Sequence, residues 1–84
     1  MNKRKLLKKA LANPKNLRFG ELVTLVEAFG FRFARVSGSH HIFEHPQVPE
    51  LVNVQDRKGK AKAYQVRQLL ELVERHNLVL GDEE

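Results

Sequence analysis

RVSGSHHIFEHP, residues 35–46, holds a Ser-Gly-Ser turn between two apolar-alternating runs, and the rest of the chain can be read outward from it. Phe31 to Val36 alternates, the chain turns at Ser37-Gly38-Ser39, and alternation resumes from His40 to His45. A glycine at the turn can take the positive φ that a tight hairpin needs, so the stretch predicts two antiparallel strands. Phe43 is the large aromatic of the second strand and is placed inward. A period of two then puts His41 and His45 beside it and sends His40, Ile42 and Glu44 to the opposite face. Pro46 and Pro49 interrupt the pattern, after which Glu50 to Gln55 predicts a third strand. Its Val52 and Val54 point one way, and Leu51, Asn53 and Gln55 the other.

Helical spacing flanks this sheet on both sides. Phe19, Leu22, Val23 and Val26 follow i, i+3, i+4, i+7 and predict a helix over about Arg18 to Phe29, stopped by Gly30. Val66, Leu69, Leu70 and Val73 make a continuous stripe from Tyr64 to His76, with Asn77 near its end. Lys3 to Ala12 gathers Leu6, Leu7, Ala10 and Leu11 on one side and its lysines on the other, and Asn13-Pro14 ends it. That short stripe has no aromatic anchor for a membrane surface, and the reading is a helix docked loosely on its own domain. The order is ααβββα, an α+β fold. One face of the three-stranded antiparallel sheet must be covered by helices, while the other stays open. Outward Ile42 and Leu51 would leave an apolar patch on that open face, suited to a protein partner or a second copy.

Eighty-four residues allow one domain and one core. With no cysteine there is neither a disulfide nor a thiolate metal site, which fits a reducing cytosol and makes self-association or a partner a natural source of extra stability. The net charge of +5 is unevenly spread. No acid precedes Glu21, whereas Lys3, Arg4, Lys5, Lys8, Lys9, Lys15 and Arg18 crowd the N-terminal part and Arg57, Lys58, Lys60, Lys62 and Arg67 follow the last strand. Acid returns with Glu71, Glu74, Asp82, Glu83 and Glu84. Such a field suits a polyanion such as nucleic acid, although a basic run also serves as an ordinary solvated surface. Leu6 and Leu7 are followed at once by Lys8 and Lys9, so no secretory apolar region forms; a cytoplasmic protein without a membrane span is expected.

His40 is the first residue after the turn, on the open face, where a solvent-reachable imidazole can exchange protons with a substrate. It is the candidate for acid–base chemistry, although spacing alone favours an ordinary exposed polar residue beside a turn. His41, on the covered face, reads as a packed structural ring. A regular strand cannot bring His40, His41 and His45 to one metal, so neither a metal nor another cofactor is expected. Ser37 and Ser39 are turn residues and sit in no nucleophile elbow. Lys58-Gly59-Lys60 is too short for a P-loop, yet it leads into a helix N-terminus that can receive a phosphate.

"GFRFARVSGSHHIFEHP", "LVNVQ" and "YQVRQLLELV" together resemble the HicA (YcfA-like) toxins of bacterial toxin–antitoxin pairs. The resemblance runs from Arg18 to Leu78 and rests on Gly30 with Phe31, the Gly38-Ser39-His40-His41 core, Phe43, His45-Pro46 and the final helix. It divides the chain into a basic helical extension (1–17), a HicA-like domain (18–80) and an acidic tail (81–84). It implies a double-stranded-RNA-binding-domain-like fold and a type II toxin that cleaves mRNA, restrained by a HicB-like antitoxin. The first histidine of the motif maps onto His40 as the catalytic residue, supported by the turn of Gly38 and Ser39. By charge and position Lys58, Lys60, Lys62 and Arg67 are candidate RNA contacts, while His41 and Phe43 are read as structural. The competing expectation is a non-catalytic RNA-binding module, in which the cations grip backbone and His40 merely hydrogen-bonds it.

Overall fold

The structure, a computed structural model, describes residues 2–81. Its elements run α1 (Lys3–Ala12), a 3-10 turn (Pro14–Asn16), α2 (Phe19–Ala28), β1 (Arg32–Ser37), β2 (His40–His45), β3 (Val48–Gln55) and α3 (Ala63–Arg75). This is the ααβββα order expected from the periodicities. The acidic residues 82–84 lie outside the described part.

The three strands form one antiparallel sheet in the order β1-β2-β3, with β2 in the middle. Leu22, Leu25 and Val26 of α2 and Val66 and Leu69 of α3 are fully buried, and they meet Phe43, Val52 and Val54 of the sheet in one core. Phe43 stands opposite both Phe33 and Val52, as its inward placement requires. Phe33 and Val36 share that face yet are half exposed, whereas Val52 and Val54 of the opposite edge strand are buried, because α2 and α3 both pack over β3 and cover β1 less.

Two details depart from the expected sheet. β3 begins at Val48 and therefore contains Pro49. A proline fits there because β3 is an edge strand and the pairing is irregular between Phe43 and His45, where Pro49, Glu50 and Leu51 face Glu44 alone. Ile42 points to the open face, as its parity demands, but it is only 9% exposed, so the expected apolar patch reduces to Leu51 at 51%. The reason is position: Ile42 lies on the central strand between Arg35 and Asn53, whereas Leu51 lies on an edge.

The helices α2 and α3 end in the same way. Gly30 (φ +97°) follows α2, with Phe31 N–H donating to Val26 O and Gly30 N–H to Glu27 O; Asn77 (φ +53°) follows α3, with Leu78 N–H donating to Val73 O and Asn77 N–H to Glu74 O. These are Schellman motifs, in which a left-handed residue lets the chain satisfy the last helical carbonyls. Beyond α3, Leu78 and Leu80 pack against the core and Gly81 N–H reaches Ala28 O at 2.7 Å.

α1 docks firmly rather than loosely. Leu6 and Ala10 are buried in the common core together with Leu17, and Lys9 Nζ holds both carboxylate oxygens of Glu21 on α2, at 2.9 and 3.1 Å. Its lysine face could be read from periodicity, but the depth of contact depended on how α2 and the 3-10 turn packed against it.

Candidate active site

The turn between β1 and β2 is held from three directions. Gly38 supplies a φ of +61° and has open space where a Cβ would stand. Ser39 O accepts from Asp56 N–H at 3.1 Å, and Ser39 Oγ accepts from Gln55 Nε2 at 3.1 Å. Gln55 N–H in turn donates to Gln65 Oε1 at 2.8 Å. Gln65 is only 3% exposed and sits on α3, so a buried amide ties the helix to the end of β3 and, through Gln55, to the turn.

His40 leaves this turn on the open face, half-buried, directly between Ser37 and Gln55. Its Nδ1 lies 3.0 Å from Asn53 Oδ1, one diagonal step across β3. His41 faces the helices. Its ring lies 4.9 Å from that of Phe19 and 6.2 Å from that of Phe33, and its Nδ1–H donates to Ser39 O at 3.3 Å. Two adjacent imidazoles thus have different settings, one against solvent and a neutral amide, the other among aromatic rings. Phe43, beneath them, is 2% exposed and meets Phe33 edge to face at 5.7 Å.

His45 packs edge-on against Phe31 at 5.0 Å and accepts from Gln47 N–H through Nδ1 at 3.0 Å. Its Nε2 also lies 2.9 Å from where a Cβ on Gly30 would be. The glycine, the aromatic and the histidine of the sequence pattern are therefore in mutual contact. Among the described residues no three His, Cys, Asp or Glu side chains come together as metal ligands would.

The basic loop begins at Asp56, whose bond to Ser39 places it beside the turn. Asp56 Oδ1 accepts from Gly59 N–H at 2.8 Å, and the loop folds back with Lys58 at φ +54° and Gly59 at φ +84°. Gly59 O then accepts from Phe19 N–H, and Ala61 N–H donates to Leu17 O. Lys60 consequently lies against Arg18 and shares a cleft of about 170 Å³ with Lys15, Asn16 and Leu17. Two basic segments far apart in sequence meet in one patch, which periodicity gave no means of seeing. Lys62 occupies the N-cap of α3 with its ammonium 5.8 Å from the centre of the Tyr64 ring. Arg67 lies elsewhere, lining a groove between α1 and α3 with Leu7, Leu11 and Leu70. Lys58 and Lys60 are thus on the loop tied to the turn of His40, whereas Arg67 belongs to another surface.

Residues 19–74 match the family model described as HicA toxin of bacterial toxin–antitoxin. The chain belongs to the HicA toxin family. The HicA match opens at the first residue of α2 and closes in the last turn of α3, so it contains the whole sheet and the basic loop and leaves α1 outside. Membership makes this HicA chain the toxin of a toxin–antitoxin pair, which implies a cognate antitoxin. No curated protein matches it. No helix among the described residues is long and apolar enough to cross a membrane.

Proposed function

We propose that the chain is a metal-independent endoribonuclease, the toxin of a type II pair, which cleaves mRNA in the cytoplasm, arrests translation and is neutralised by a HicB-like antitoxin. The observation that carries this reading is His40, a half-buried imidazole on the open sheet face, at a turn hydrogen-bonded to the start of a lysine-rich loop. In the proposed reaction neutral His40 removes the proton from a ribose 2′-OH. The 2′-oxygen attacks the adjacent phosphorus, a 2′,3′-cyclic phosphate forms, and the 5′-oxygen leaves with a proton taken from solvent. Lys58, Lys60 and Lys62 offset charge on the phosphate, and Lys15 and Arg18 extend the same basic surface. Arg67 would contact RNA only where the strand continues toward α1.

A general base contributes about a hundred- to ten-thousandfold, and His40→Ala should lose that much turnover while keeping RNA affinity through the cations. The test is cleavage of a structured mRNA and its deoxy analogue, with and without EDTA, alongside growth and mRNA integrity on inducible expression. RNA-only cutting that is indifferent to chelator and abolished in His40→Ala is expected. Equal cutting of DNA, or EDTA sensitivity, overturns the mechanism. Tight binding with no cutting by wild type would favour the RNA-binding module.

A further inference from the structure

We propose that Asn53 is the positioning residue of the site, holding His40 in the tautomer whose Nε2 is free to act as base. The inference rests on the catalytic role proposed for His40, but its structural half can be read independently of activity. The carboxamide oxygen of Asn53 faces the ring, at 3.0 Å from Nδ1. An oxygen without a proton can only accept, so Nδ1 carries the hydrogen and Nε2 carries the lone pair. Either nitrogen of an unrestrained imidazole can hold the proton, and the hydrogen bond made by one nitrogen decides the chemistry left to the other.

The geometry suits the task. Asn53 lies opposite Ile42 and His40 lies opposite Gln55, so the two side chains are diagonal neighbours on the same face of adjacent strands. β3 itself is anchored two residues further along, where Gln55 is tied to Gln65 and to Ser39. The acceptor is therefore held by the same strand whose end clamps the turn. An amide also differs from the carboxylate more familiar beside a catalytic histidine: it orients the ring without adding a charge. The charged groups sharing that sheet face are Arg32 and Arg35 on β1 and Glu44 on β2, whereas β3 contributes the neutral Asn53 and Gln55 next to the ring.

Long-range ¹H–¹⁵N correlation spectra of histidine-labelled protein, recorded where the ring is neutral, report the tautomer directly. Wild type should show His40 protonated at Nδ1, and Asn53→Ala should lose that preference. In single-turnover cleavage Asn53→Ala should lower the rate by about tenfold to a hundredfold, less than removal of the imidazole, at unchanged RNA affinity. Asn53→Asp, which still presents an oxygen to Nδ1–H, should keep the tautomer and recover most of the rate. An Nε2-protonated ring in wild type overturns the inference, as does an Asn53→Ala variant that binds RNA more weakly with its tautomer unchanged, since Asn53 would then be an RNA contact. If instead wild type and His40→Ala cut RNA equally, the catalytic reading of His40 fails, while the spectra still decide what Asn53 does to the ring.

Discussion

His40 and His41 are one residue apart, and the pleat of a strand puts their rings in different media. Residue-level constraints of this kind make the glycines nearby unequal. At Gly30 a Cβ would come within 2.9 Å of His45 Nε2, and the backbone is at φ +97°. At Gly38 the φ is +61° but nothing lies within 4 Å. Gly38→Ala should therefore carry only the left-handed penalty, about 1 kcal/mol, whereas Gly30→Ala adds a displaced ring and should destabilise by about 2–3 kcal/mol. Urea denaturation of the two variants checks this. Replacing His45 by Ala in the Gly30→Ala background should recover the steric part and leave the backbone part.

At the scale of one element, α2 lacks a Ser, Thr, Asp or Asn at its N-cap and relies on Glu21 three residues in. The Glu21 carboxylate accepts from Arg18 N–H at 2.9 Å and pairs with Lys9. The backbone hydrogen bond first, and Lys9 after it, hold its pKa below the ordinary 4.5. Because the folded value is the lower one, its contribution is complete above the pKa of the unfolded chain and disappears as pH falls through the folded value. Glu21→Ala should cost about 1 kcal/mol at neutral pH. The gap to wild type should narrow on acidification below 4.5, as thermal melts across that range would show. The end of α3 depends instead on Glu50 of β3, which receives Arg75 Nη1 at 2.9 Å and His76 Nε2 at 3.1 Å.

For the molecule as a whole, the family pattern begins at residue 19, yet the core does not. Leu6 is 2% exposed and Ala10 fully buried. Leu6→Ala should therefore destabilise by about 2–5 kcal/mol and deletion of α1 by at least as much, while Lys8→Ala on the exposed side should change little. Calorimetry distinguishes an integral helix from an appended one. The basic surface formed by residues 15–18 and 57–62 should make RNA binding weaken steeply with salt. Lys60→Ala should reduce the slope of log affinity against log salt by about one, measured by titration at several ionic strengths.

Local order was written plainly in this chain. The helix Lys3–Ala12 and the strand His40–His45 follow from periodicity alone, and so does the parity that separates His40 from His41, because one residue's step on a strand is a fixed rotation. Partnership across strands was not legible. That Asn53 reaches His40 depends on the register between β2 and β3, which an irregular Pro49 to Leu51 segment shifts. That Lys15 and Arg18 join Lys60 depends on loop hydrogen bonds from residues 17 and 19. The burial of Ile42 depends on its lying on the middle strand, and the seating of α1 on its packing against α2 and the 3-10 turn. Periodicity is a property of neighbours along the chain, and the sequence by itself determined what lies within its reach. Contacts between segments forty residues apart are set by how the elements pack, and these only the tertiary structure decided.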